Sequence, residues 1–193
     1  MSRRDEIIDA AIRLAESAPA GESRLTVRAV AKEAGIGAST LRHYFPTQGA
    51  LYQEVAKRSL QNVVQDFSIR DSSLDPAERL LECCSQFLIT HEHRDAQLEL
   101  WFAMHLNAIG PNPREGSHSL LEHAHDITYD SLHRWLGILA EEGHLDPAEV
   151  APSATILFTA IDGMALHAII TPERMTVDEV RAHVTWLIGK ILG

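Results

Sequence analysis

Apolar positions recur every three or four residues along nearly the whole chain, and no run of four or more alternates cleanly between apolar and polar with hairpin turns around it. A period near 3.6 predicts amphipathic helices, and the missing alternation argues against strands. The expected fold is all-α with about nine helices. The first covers residues 3–18, with Ile7, Ile8, Ala11, Ile12 and Leu14 along one side. Short helices are expected over 27–34 and 38–44. Longer ones follow over 48–69, 76–91, 94–109, 117–142, 147–170 and 177–192. Several starts are marked. Asp75-Pro76-Ala77-Glu78 places a cap, a first-turn proline and a capping-box glutamate in order, and Asp146-Pro147-Ala148-Glu149 repeats the arrangement. Thr176 to Glu179 is a third capping box, and Thr26 and Thr47 are further caps. Residues 19–23 and 110–116 read as loops.

Residues 26–45, TVRAVAKEAGIGASTLRHYF, carry the most specific pattern. Two short helices flank Ala34-Gly35-Ile36-Gly37, and Gly35 suits the left-handed position that ends a helix. Val27, Val30, Ala31, Ile36 and Leu41 can share a small core. A helix-turn-helix needs this layout, in which one helix braces and the second enters the DNA major groove by its N-terminal residues. The second helix offers Ala38, Ser39, Thr40, Arg42 and His43. Thr40 can touch a thymine methyl or hydrogen-bond a base edge, and Arg42 can fork onto guanine. Thr26, Arg28, Tyr44 and Gln48 complete the expected DNA-binding set, with phosphate contacts that position the module.

Charge changes the picture only when the chain is divided. The net charge is −10, which alone argues against nucleic acid. Residues 1–70 nevertheless hold ten Lys/Arg against eight Asp/Glu, whereas residues 71–193 hold seven against nineteen. A small basic module is therefore joined to a larger acidic one. The expected division is a DNA-binding domain over 1–46 and a larger helical domain over 47–193, to which a family resemblance adds ligand binding and dimerisation.

The span AGIGASTLRHYFPTQGALYQEV (residues 34–55) resembles the signature of the TetR family of transcriptional regulators, and the match extends over residues 3–60. The region 146–192, with IDGMALHAII inside it, is similar to choline-sensor-like members. The resemblance implies a homodimeric regulator of double-stranded DNA, usually a repressor, with a small organic effector held in a C-terminal helical bundle. It also implies a serine at the cap of the recognition helix and a lysine near the next helix start. Gly37 and Gln48 stand there instead. The amides that open the helix at Gln48 still offer a phosphate site.

Candidate chemistry in the acidic half follows from its aromatic and polar residues. Phe87, Trp101, Phe102, His105, Tyr129, Trp135, Phe158 and Asp162 are the expected ligand-binding set. Aromatics with a few polar groups suit an apolar or cationic organic ligand, and a carboxylate in an apolar helix needs a partner. The simple alternative is that these aromatics fill a core. Ile161, Ala165, Ile169, Val180, Val184, Leu187 and Ile191 are expected at a dimer seam built from the last two helices, the alternative being burial within one subunit.

Ten of the eleven histidines follow residue 90, and His118, Glu122 and His125 share a helical face. Zinc tolerates such spacing, but no cysteine partner has ligand spacing, so no metal and no cofactor are expected. Cys83 and Cys84 are adjacent and expected to be reduced and packed. Residues 1–11 are charged and amphipathic, unlike a secretory signal. The longest apolar stretch, 154–170, carries Asp162 and His167 and falls short of about 20 clean apolar residues. A cytoplasmic protein with no membrane partner is expected. No Walker loop, nucleophile elbow or HExxH pattern occurs. The expected function is thus not enzymatic. The competing readings are a helical-bundle enzyme using its histidines for metal, and a constitutive DNA-binding dimer without ligand.

Overall fold

The computed structural model describes residues 2–16, 26–60, 64–113 and 117–193. Among them are nine α-helices and no strand: α1 (Arg3–Glu16), α2 (Val27–Glu33), α3 (Ala38–Tyr44), α4 (Gln48–Leu60), α5 (Pro76–Ser85), α6 (Arg94–Ile109), α7 (Ser117–Glu141), α8 (Val150–Ile170) and α9 (Val177–Leu192). A single 3-10 turn, Pro147–Glu149, leads into α8. The chain divides into two compact units. One comprises Met1–Val63 with Asn107–Ala124, the other Val64–Leu106 with His125–Gly193.

In the first unit α1 packs on α2 and α4, and α2 packs on α3. Ile7, Ile8 and Ala11 meet Val30, Ala31, Leu41, Phe45, Leu51 and Val55 in one buried cluster, with Val27 and Ile36 at its edge. The five residues expected to form a shared core all belong to it. The start of α4 therefore closes the same core as the helix-turn-helix. Thr26 and Thr47 cap α2 and α4 by accepting from the amides of Ala29 and Ala50.

The second unit is built on Leu80, Cys83, Cys84, Leu132, Trp135, Leu136, Leu139, Leu157, Val184 and Ile188, all fully or almost fully buried. The Asp75 carboxylate caps α5 by accepting from the amides of Ala77 and Glu78, and Thr176 with Glu179 makes the reciprocal capping box of α9. Asp146 accepts from Ala148 but caps the 3-10 turn rather than α8, which starts three residues later than expected. Arg79 is buried to 1 % exposure, where it donates to the Ile69 carbonyl and forks onto Glu142. That fork holds the Glu142 carboxyl below its usual range.

Two helices end well before their expected limits. α4 ends at Leu60, with residues 61–63 outside the described set, and residues 64–70 are extended and turned rather than helical. Tertiary anchors explain this. Asp66 accepts from Trp135 Nε1 at 2.7 Å and Arg134 Nη2 at 2.6 Å, and its carbonyl accepts from the Cys83 thiol. α5 stops at Ser85 instead of residue 91 because the Gln86 amide folds back onto the carbonyls of Cys83 and Gln65. The expected loop at 19–23, residues 17–18 of the first helix and residues 114–116 lie outside the described residues.

The apolar expectation for α8 also needs correcting. Together with its leading turn the helix runs over Pro147–Ile170, long and apolar enough to cross a membrane by length and composition, and 28 % of its most apolar window is buried. Residues 150–153 continue the helix ahead of the apolar stretch, which supplies the missing length. Its inner face, Ser153, Ala154, Leu157, Ile161 and Ala168, is buried, and α8 packs on α9.

Candidate functional site

The turn between α2 and α3 is built from the residue types its geometry requires. Gly35 has φ +63°, its amide donates to the Lys32 carbonyl, and the Ile36 amide reaches the Ala31 carbonyl at 2.9 Å. This pair of bonds satisfies the last carbonyls of α2 and turns the chain sharply into α3. Leu41 and Phe45 then fix α3 to the core from one side. Ser39, Thr40, Arg42 and His43 are left exposed on the other side, with Ala38 and Tyr44 half-buried. Thr26, Arg28 and Gln48 are also exposed.

The basic side chains of this unit fall into two groups. Arg3, Arg4, Arg13 and Arg58 pair with Glu6, Glu54, Glu33 and Asp5, and Arg4 also lies over the Phe45 ring. Arg28, Lys32 and Arg42 make no ion pair among the described residues. Arg28 and Lys32 of α2 and Arg42 of α3 are all exposed, and such cations suit phosphates and base edges. Lys32 was missed by sequence reasoning, because its lack of an acidic partner is visible only in the fold.

In the second unit, α6, α7 and α8 bring together a half-buried polar cluster. Trp101 and His105 of α6 lie one turn apart with ring centroids 4.0 Å apart. His105 Nδ1 hydrogen-bonds the Trp101 carbonyl at 2.8 Å, a contact in which the ring nitrogen donates. Trp101 Nε1 donates to Asp162 Oδ1 at 3.3 Å. His125 Nε2 of α7 faces Asp162 Oδ2 at 3.9 Å, and the His125 ring stands edge-on to Phe158 with centroids 5.0 Å apart. Four of the expected ligand residues, Trp101, His105, Phe158 and Asp162, therefore converge. His125 joins them, although sequence reasoning had placed it with His118 and Glu122, both of which are exposed. The available signal was the four-residue spacing of Trp101/His105 and Phe158/Asp162, which puts each pair on one helix face.

The other expected ligand residues lie elsewhere. Trp135 is fully buried, with its indole N–H committed to Asp66 and its ring against Phe87, so it fills the core rather than lining a site. Phe87 and Tyr129 are half-buried against that core. Phe102 is exposed and lines an open groove of about 320 Å³ with Arg94, Leu98, Ala168 and Ile169. The expected dimer set is divided by burial. Ile161, Val180 and Val184 are buried within their own chain. Ala165, Leu187 and Ile191 are half-buried, and Ile169 is exposed. The large apolar side chains that do reach the surface of α8 and α9 are Ile156, Leu166, Ile169, Ile170 and Trp186. Cys83 and Cys84 are free thiols that burial pushes up to about 12, so neither is a reactive thiolate.

Comparisons with known proteins match both ends of the chain. Residues 7–55 match the bacterial regulatory proteins of the tetR family, and residues 76–193 match the C-terminal domain of BetI-type transcriptional repressors. The HTH-type transcriptional regulator PksA of Bacillus subtilis (strain 168) is 28 % identical over 165 residues, covering 83 % of this chain and 77 % of that protein. A transcriptional regulator from Rhodococcus sp. Rha1 shares the fold with a TM-score of 0.56 at 22 % identity, covering 99 % of this chain and 96 % of that one. A transcriptional regulator from Saccharomonospora viridis, solved in complex with choline, has a TM-score of 0.57 at 21 % identity over 96 % of this chain and 95 % of that one. With both its helix-turn-helix and its C-terminal region matched, the chain belongs to the TetR family of transcriptional regulators.

Proposed function

We propose that this regulator binds a near-palindromic DNA operator as a homodimer and is released from it by a small organic effector. Residues 1–46 would carry recognition and residues 47–193 effector binding and dimerisation. The observation that carries the reading is the exposed face of α3, where Arg42, with no ion pair among the described residues, lies in sequence beside Ser39, Thr40 and His43, while Arg3, Arg4, Arg13 and Arg58 are paired with acids. Arg42 forks onto a guanine, Ser39 and Thr40 read neighbouring base edges, and Thr26, Arg28, Tyr44 and Gln48 contact phosphates. The Trp101–Asp162 cluster supports an apolar or cationic effector, since aromatic faces and a carboxylate both attract an organic cation. The choline bound by the Saccharomonospora viridis regulator is consistent with that chemistry. Effector binding acts by favouring one dimer geometry, and so one spacing of the two recognition helices, by a few kcal/mol.

The test is salt-dependent binding to DNA from the protein's own upstream region, comparing wild type with Arg42→Ala. The variant is expected to lose about 1–3 kcal/mol of specific binding while keeping non-specific binding. Weak binding that is equal for every sequence and for the variant would overturn the reading.

A further inference from the structure

We propose that His105, His125 and Asp162 form a binding site for one divalent transition-metal ion of the zinc class. The inference does not depend on the organic-effector reading but competes with its cationic form, since an ion here would hold Asp162 and leave room only for an uncharged or anionic effector. Each residue offers one ligand atom, and these atoms lie within 4.8 Å of one another. They come from three different helices, α6, α7 and α8, so the chain must fold to assemble them. A tetrahedral ion with bonds of about 2.0–2.1 Å needs ligand atoms about 3.3 Å apart. Binding would therefore draw the three half-buried side chains together, and their partial exposure gives an ion a way in.

The surroundings are arranged as a metal site requires. A metal-binding histidine commonly donates its second ring N–H to a carbonyl, which fixes the tautomer. The contact of His105 Nδ1 with the Trp101 carbonyl at 2.8 Å does this and leaves the Nε2 lone pair for a ligand bond. A ligating carboxylate is likewise held by a hydrogen bond from outside the coordination sphere. Trp101 Nε1 donates to Asp162 Oδ1, which turns Oδ2 towards His125. His125 Nε2 and Asp162 Oδ2 face each other at 3.9 Å, beyond hydrogen-bond length, so they do not satisfy one another directly. An ion between them satisfies both.

The donor set selects the ion. Two imidazoles and one carboxylate suit zinc, cobalt and nickel better than magnesium or calcium, which take oxygen ligands. Cuprous ion prefers sulfur, and the two cysteines are buried in the core away from the set. Three protein ligands leave at least one position open for water or for a donor atom of an effector. An ion here also neutralises Asp162, so it opposes an organic cation at the same carboxylate and favours a neutral or anionic donor.

The experiment uses the full chain after chelator treatment and dialysis. Zinc is titrated calorimetrically, and cobalt is titrated while its visible ligand-field bands are recorded. The expected result is about one ion per chain, with cobalt bands of the intensity that tetrahedral coordination gives. His105→Gln, His125→Gln and Asp162→Asn should each weaken binding by about 100-fold. Trp101→Phe keeps all three ligands and removes only the indole donor, so it should weaken binding by about 10-fold. His133→Gln, on the exposed side of α7, should bind as wild type. Circular dichroism of each variant separates lost ligation from lost folding. Saturable binding that survives all three ligand substitutions would place the ion on other histidines and overturn the proposal, as would absence of binding in the folded wild type. Operator binding, measured separately without metal, keeps failure of the DNA reading distinct from failure of this one.

Discussion

Asp66 shows how one side chain redirects the chain around it. It precedes Phe67, which adopts φ +36°, a conformation that costs a bulky residue free energy. The carboxylate meets that cost by joining Arg134 and Trp135, and the Arg134 hydrogen bond holds its carboxyl below the usual value of 3.8. A group whose folded value is depressed contributes stability above its unfolded pKa, and that contribution is lost as pH falls through the folded value. Asp66→Asn should therefore destabilise the protein by roughly 1 kcal/mol at pH 7, a figure kept low because the carboxylate is nearly half exposed. The gap between the variant and wild type should begin to shrink as pH falls below the unfolded carboxylate value of about 3.9, and close as pH falls through the lower folded value, where wild-type Asp66 is protonated too. Urea midpoints at pH 7 and pH 3 read this directly, and an equal gap at both would show that shape rather than charge matters there. Arg79 is the more sensitive position. Arg79→Leu strands the Ile69 carbonyl and leaves Glu142 without its fork, so a loss on the order of 2–3 kcal/mol is expected in the same assay.

At the scale of helices, local signals and tertiary anchors had different visibility. The starts of α5 and α9 could be read because a cap is a contact within four residues, and Asp75 and Thr176 make the expected bonds. The ends of α4 and α5 could not. Gln86 stops α5 partly by reaching Gln65, 21 residues away, and Asp66 leaves the helical path for Trp135, 69 residues away. Periodicity carries no record of such bonds, and apolar residues beyond the true end keep the pattern running. The same reasoning explains the cluster between α6, α7 and α8. Three helices supply pairs or single residues with clear spacing, but which pairs meet depends on packing, so Trp135, expected with the ligand set, lies in the core and His125, expected on a face with His118 and Glu122, joins the cluster. The helix-turn-helix was legible because Gly35, the small core and α3 all lie within twenty residues. One weak point remains in it. The N-cap of α3 is Gly37, which gives no side-chain cap. A Cβ there would meet Ser39 Oγ at 3.7 Å and Thr40 Oγ1 at 3.9 Å, ordinary contacts, and the backbone is already extended. Gly37→Ser should then raise thermal stability by a few tenths of a kcal/mol. A drop instead would mean that the serine hydroxyl does not reach the α3 amides.

For the whole molecule, the decisive feature is the uncovered face of α8. Ile156 is 50 % exposed and Ile170 61 %, while Leu166 lies between them along the helix and Trp186 of α9 is 64 % exposed. An apolar stripe of this kind on a helix that already buries its other face calls for a further surface. A membrane would cover it, but α8 carries Asp162 in contact with Trp101, and its inner face belongs to the protein core. On the homodimer reading proposed above, a second copy of the chain would cover the stripe without disturbing either, and a two-fold axis would present two α3 helices to successive major grooves. Ile156 and Leu166 are the residues to change, since their side chains point away from the core that Val180 and Val184 fill. The double substitution Ile156→Glu with Leu166→Glu should convert a dimer into a folded monomer by sedimentation at micromolar concentration. Operator affinity should fall with it, because one half-site alone supplies about half of the phosphate and base contacts. Helical content should stay unchanged, since neither residue contributes to the buried cluster. A wild-type protein that sediments as a monomer without detergent, yet partitions onto lipid vesicles, would instead assign the stripe to a membrane surface.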